Sequence, residues 1–268
     1  MRDGGAVEGN MRVTGTQTYT KFDMGAQVTL ANQSDGSAFS GVAGETNQWN
    51  FRCGNTLSCV AIGDNQTLTA PALATTGLNV SGDATNNDGW EFRGKSSLAL
   101  GTLNKDYFTV GTSPAFYIKV EFSVADISDT DKVVVGFAKD EAFDATVADY
   151  NDLATIGIVA DAAGVVSTNT IVGGASNIVT ELTSVVDWTD NDIKGFKVLV
   201  SKTGKVTYEI SDNGDSAGTS GSTYGTSAQA VAYTFTDGLN VVPYWYHIHA
   251  AASSADVIWR EFEFGLQS

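Results

Sequence analysis

From about residue 81 onward, apolar and polar side chains alternate along the chain. In FYIKVEFSV, Phe116, Ile118, Val120 and Phe122 fall on one side of an extended backbone, with Tyr117, Lys119, Glu121 and Ser123 on the other. Such alternation marks a strand with one face turned to a core, because successive side chains of a strand point to opposite faces. IWREFEF repeats the pattern and places Ile258, Arg260, Phe262 and Phe264 opposite Trp259, Glu261 and Glu263. GWEFRG, KVVVGFAK, ATIGIVADA, GFKVLVSK, KVTYEISD, AVAYTFTDG and VVPYWYHIHA are further strand-length segments bounded by Gly, Asp or Asn. SKTGKVTYEI carries a hairpin turn around Thr203-Gly204. Strands in close succession predict an all-β chain, an antiparallel β-sandwich or jelly roll, and not βαβ units.

One segment departs from this period. In DEAFDATVADYNDLA, Phe143, Val147, Tyr150 and Leu153 recur at helical spacing behind an acidic start. That spacing predicts a short helix or an ordered loop between two strands. Residues 1 to 80 are patterned more weakly: QVTL, QWNFRC, SCVAIG and LTAPAL alternate with Gly/Ser/Asn runs. The expected organisation is an N-terminal arm and small strand-rich segment over 1–80, then a β-sandwich domain over 81–268. Alone, the first part offers little apolar surface to offset its ordering entropy, so it is expected to pack on something else.

Composition strengthens the β reading. The chain has 268 residues, enough for a real core, with 29 glycines and three prolines. Its 31 acidic against 15 basic residues give a net charge of −16. A surface of that sign repels nucleic-acid phosphates and anionic lipid, which argues against both as partners. MRDGGAVEGNMRVTG has no apolar signal region, and no apolar run approaches the roughly 20 residues of a membrane span. The expectation is a soluble chain made in the cytoplasm without a signal peptide.

Candidate chemistry centres on PYWYHIHA, which holds both histidines of the chain. Trp245, His247 and His249 share one face of the strand; Tyr244, Tyr246 and Ile248 share the other. His-x-His projects two imidazoles together, but a metal site needs a third and usually a fourth ligand. Trp and Tyr faces could instead stack on a sugar, making Trp245, His247 and His249 the carbohydrate-binding candidates. The plain alternative is a structural strand whose polar face, with its histidines, meets solvent or a neighbouring subunit, while Trp49, Trp90, Trp188, Trp245 and Trp259, spread along the chain, are ordinary core material. Asp83 and Asp88 are the candidate divalent-ion ligands among the Asp-rich turns. An EF-hand alignment on Gly89 fails, with Ala84 first and Lys95 last, and turn chemistry alone explains most such aspartates. Cys53 and Cys59 sit close enough for a disulfide if the backbone reverses between them, with reduced thiols as the alternative.

Catalysis finds little support. There is no G-x-S-x-G and no phosphate-binding glycine loop. Glu261 and Glu263 share a face, but no third acid is in register and the laminarinase-like Glu-x-Asp-x-x-Glu is absent. No enzyme activity and no cofactor are expected.

Several phrases, in order, carry a resemblance: TNNDGWEFRG, SPAFYIKVEFSVADISDTDKVVVGFAKDEAF, DYNDLATIGIVA, FKVLVSKTGKVTYEI and YTFTDGLNVVPYWYHIHA followed by IWREFEFGLQ. Together these resemble the concanavalin A-like sandwich of tailed-phage virion surface and decoration proteins, over about two-thirds of the chain. The resemblance implies a jelly-roll sandwich with an extended N-terminal arm, carried on the capsid exterior. It implies as partners the major capsid protein and copies of the chain itself, as a homotrimer or another symmetric cluster. The alternative from another class is a carbohydrate-binding or host-attachment module, with surface glycans as partners.

Overall fold

The computed structural model describes residues 19–23, 31–32, 46–50, 56–62, 72–74, 77–80, 88–94, 107–128, 130–144, 146–159, 164–182, 188–212, 225–226, 233–249 and 257–267. The first 80 residues contribute strands β1 (Tyr19–Asp23), β2 (Ala31–Asn32), β3 (Thr46–Asn50), β4 (Thr56–Ile62), β5 (Ala72–Ala74) and β6 (Gly77–Asn79). Then come β7 (Gly89–Gly94), β8 (Phe108–Thr109), β9 (Phe116–Val124), β10 (Thr130–Lys139), β11 (Leu153–Ile158) and β12 (Val166–Ile171). The last group is β13 (Ile178–Glu181), β14 (Ile193–Val200), β15 (Val206–Asp212), β16 (Gly225–Thr226), β17 (Asn240–His249) and β18 (Val257–Leu266).

These strands form two antiparallel sheets. The smaller runs β16-β15-β14-β9-β18-β6-β5, with β1 on the second half of β18; the larger runs β13-β12-β11-β10-β17-β7-β4-β3-β2, with β8 on the start of β17. Every described pairing is antiparallel, and the longest ladders join β9 to β18 and β10 to β17 across more than a hundred residues of sequence. The expected all-β sandwich is therefore present. Strands from the first 80 residues pair into both sheets, β4 against β7 and β6 against β18. The outermost reach of the expected arm, residues 1–18, lies outside the described residues.

The two inner faces meet in one apolar layer. Phe116, Ile118, Val120 and Phe122 of β9 are fully buried there, as their alternation predicts, with Phe196 and Val198 of β14 beside them. The larger sheet answers with Val133, Val135 and Phe137 of β10, Ile156 and Ile158 of β11 and Trp90 and Phe92 of β7. A sandwich buries apolar side chains at about 25 cal/mol per Å², so this layer is the main favourable term of folding. The hairpin at Thr203-Gly204 forms as expected, with Gly204 at φ +84° and its N–H donating to the Ser201 carbonyl at 2.9 Å. Only a residue without a Cβ adopts that backbone cheaply.

One expectation changes, and one open alternative is settled. Strict alternation in β18 places Trp259 opposite Phe262 and Phe264, yet all three are buried in the same layer. The register against β9 slips between Trp259 and Glu261, so Arg260 is an extra residue in a β-bulge, and Trp259 and Phe262 stack with centroids 4.7 Å apart. A bulge inverts the parity of every residue beyond it. The helical spacing of Phe143, Val147, Tyr150 and Leu153 yields a strap with a single 3-10 turn, Val147–Asp149. All four residues still pack together, on the outer face of the larger sheet. No helix among the described residues is long and apolar enough to cross a membrane.

The centre of the larger sheet tolerates no side chain at Gly157. Its φ is +148°, and an added Cβ would lie 2.0 Å from the Val133 carbonyl oxygen on the next strand. Backbone cannot yield as a side-chain tip can, so Gly157→Ala is expected to cost about 2 kcal/mol or more. Urea unfolding would show this as a lower midpoint with an unchanged slope; an unchanged midpoint would contradict it.

Candidate functional site

Trp245, His247 and His249 point into the sandwich and not out of it. Trp245 is wholly buried, edge-on to Phe122 at 4.5 Å and to Trp259 at 5.1 Å. Its Nε1–H donates to His247 Nδ1 at 3.0 Å, and the His249 ring stands edge-on to His247 at 5.7 Å. Accepting at Nδ1 makes His247 neutral in this arrangement. His247 and His249 are 1% and 0% exposed, so no pyranose reaches any of these three rings. The expected sugar platform is thus corrected: the strand that carries it is covered on both faces, by the second sheet on one and by the strap on the other.

No group of three or more His, Cys, Asp and Glu comes together among the described residues. Asp88 is buried, and its backbone carbonyl accepts the His249 N–H at 2.9 Å. Its expected companion, Asp83, lies outside the described residues, as does Cys53 and therefore its pairing with Cys59. Glu261 and Glu263 do share the outer face of the smaller sheet. Lys119 Nζ holds Glu261 at 2.8 Å and the Tyr117 hydroxyl donates to Glu263. These carboxylates are tied into cross-strand pairs with β9.

Two polar places lie on the outer face of the larger sheet, and sequence reasoning named neither. The first is Glu91 on β7, fully enclosed beneath the strap of residues 140–152. Tyr150 donates its hydroxyl to Glu91 Oε2 at 2.6 Å, and Arg93 Nε lies 3.5 Å from Oε1. Burial pushes the Glu91 carboxyl up from 4.5 to about 7, against the opposing pull of Arg93 and the Tyr150 hydrogen bond. Tyr150 packs edge-on against Tyr244 at 5.4 Å, and Tyr244 stacks over Tyr246. Arg93 Nη1 donates to the Glu141 carbonyl at 2.9 Å, and the Asn151 N–H donates to Glu141 Oε1 at 2.7 Å. A carboxyl with a near-neutral pKa suits acid–base work only where a substrate can approach it. Enclosed like this, Glu91 is a latch that holds the strap down.

The second place surrounds Asn169, in the middle of β12. Register sets Asn169 beside Thr155 of β11 on one side and Val179 of β13 on the other. Asn169 and Thr155 are both 0% exposed, and neither the two Asn169 amide atoms nor Thr155 Oγ1 has a hydrogen-bond partner. Asn169 lines a cavity of about 30 Å³, together with Lys132, Val134, Val147, Val159 and Asn177. Asn177 Oδ1 also lacks a partner. Each buried polar group left so costs about 1–3 kcal/mol, and native proteins keep few of them without a water, ion or ligand to explain them. The space accommodates about two water molecules, or one small polar substituent. The legible signal was VSTNTI itself: asparagine is depleted in strands, so one at the centre of a buried strand marks a position kept for something other than packing.

No protein-family model matches the chain, and no curated protein matches it in sequence. Solved structures resemble it in fold. Lectin II from Ulex europaeus is similar at a TM-score of 0.50 and 10% identity, over 94% of this chain and 99% of that one. The lectin UEA-II complexed with galactose is similar at 0.51 and 10%, with the same coverage. A legume lectin-like domain from Entamoeba histolytica is similar at 0.47 and 8%, over 78% and 90%. At such identities architecture is what is shared: the chain folds as a legume-lectin-like, concanavalin A-like β-sandwich.

Proposed function

We propose that this chain is a non-catalytic carbohydrate-binding module, and that it takes a saccharide substituent into the Asn169 cavity. One observation carries the reading: a fully buried asparagine amide, both atoms unpartnered, lining a small cavity with apolar walls. An amide both donates and accepts, which matches the hydroxyl and acetamido groups of sugars. A few placed polar groups against apolar walls are the usual composition of a small-molecule site. The galactose complex of a similarly folded lectin supports the choice of ligand class.

A glycan array probed with the intact chain tests this. The expected result is binding to a defined subset of glycans, weakened about 10-fold or more by Asn169→Ala, since one hydrogen bond to a well-matched group is worth roughly that factor. Failure of the intact chain to bind any glycan would sink the reading.

A virion decoration role is the second reading, and one observation favours it. Val172, Ile178 and Val179 are 45–47% exposed around β13, the edge strand of the larger sheet. An exposed apolar edge strand is a template for pairing with another chain, which is how an adhesive shell protein would hold its neighbours. Mass spectrometry of purified phage particles from cells expressing the chain decides it: copy numbers near that of the major capsid protein support the role, and absence from the particles removes it.

A further inference from the structure

We infer that the Asn169 cavity selects saccharides that carry a carboxylate, an inference that rests on the carbohydrate reading above. Three features converge on it. Lys132, two residues before Val134 on β10, lines the cavity, and none of the ion pairs among the described residues uses it. The Asn169 amide supplies a second donor from the floor, where it is wholly buried. Among the described residues, no carboxylate side chain lines the cavity.

Size agrees with charge. Room for about two waters is room for the two oxygens of one carboxyl group. One oxygen would accept from Asn169 Nδ2 and the other would face the Lys132 ammonium, while Val134, Val147 and Val159 exclude competing water. A neutral hydroxyl would satisfy the asparagine and leave the lysine unmatched. Hydrogen bonds in which one partner is ionised are roughly twice as strong as neutral ones. The net charge of −16 weakens the approach of any anion from a distance. Selectivity is therefore read as a difference between two matched ligands and not as an absolute affinity.

Isothermal titration of the intact chain with a trisaccharide of galacturonate and with its carboxyl-reduced form tests the inference. The acidic trisaccharide is expected to bind about 10-fold more tightly. Lys132→Gln, which keeps a polar side chain at this half-buried position, is expected to erase that difference, with an unchanged thermal melt as control. Acetate, which carries the carboxylate without the sugar, is expected to compete only weakly. Equal affinity for the two trisaccharides would overturn the inference and leave the carbohydrate reading standing. A preference that survives Lys132→Gln would overturn the placement, and acetate competing as well as the trisaccharide would overturn the saccharide assignment. Binding of neither trisaccharide, nor of any glycan on the array, would remove the reading and the inference together.

Discussion

Trp245→Ala is expected to destabilise the fold by about 3–5 kcal/mol, the range for deleting a large aromatic from a packed core. Trp245 stands where β17 meets the smaller sheet, edge-on to Phe122 and Trp259 and fully buried. The truncation removes those ring contacts and opens a cavity that rigid strands on both sides cannot close. It also strips His247 Nδ1 of its donor at 3.0 Å, which adds the cost of a buried acceptor left without its bond. Urea unfolding monitored by circular dichroism measures the loss. A cost below about 1 kcal/mol would mean that the tryptophan is not in the core.

Glu91→Gln acts in the other direction and depends on pH. The folded protein holds the Glu91 proton up to about 7, whereas the unfolded chain releases it near 4.5. Between those values the native state binds more protons than the unfolded state, so stability falls as pH rises. At about 1.36 kcal/mol per pH unit, the penalty reaches roughly 3 kcal/mol above pH 7 and vanishes below about 4.5. Glutamine keeps the shape and the Tyr150 contact without the buried charge. Losing the Arg93 ion pair at 3.5 Å offsets part of the gain, so the expected net stabilisation at pH 8 is about 2 kcal/mol, worth roughly 5 °C in Tm for a chain of this size. At pH 4 wild type and variant should differ little. Thermal melts across pH 4–8 check the sign: a variant less stable than wild type at pH 8 would show that the charge is held by partners strong enough to repay its burial.

Particular residues show how much was legible in advance. Phe116, Ile118, Val120 and Phe122 declared their inner face through alternation, because a one-residue error would have turned all of them outward. β18 shows where that logic stops. The bulge at Arg260 is a property of its pairing with β9 and leaves no mark on IWREFEF itself. In the strap, the recurrence of Phe143, Val147, Tyr150 and Leu153 correctly marked a shared face. The backbone there follows hydrogen bonds to distant groups, Arg93 to Glu141 and Tyr150 to Glu91, and not a helical ladder. The candidate site was the least visible part. Trp245, His247 and His249 drew attention as rare residue types, and they are core. Asn169 lies beside Thr155, and shares a cavity with Lys132, only because β10, β11 and β12 lie side by side.

By itself the sequence determined the all-β class, the strand segments and, in strands without a bulge, the residues that share a face, since each follows from a period of two along a local stretch of chain. It also determined the acidic surface. Tertiary structure alone decided that the strand holding PYWYHIHA was covered on both sides, where a bulge reversed the faces of a strand, and where unpartnered polar groups came together. Those outcomes depend on pairings between strands distant in sequence, and burial is a property of what the rest of the chain lays over a residue.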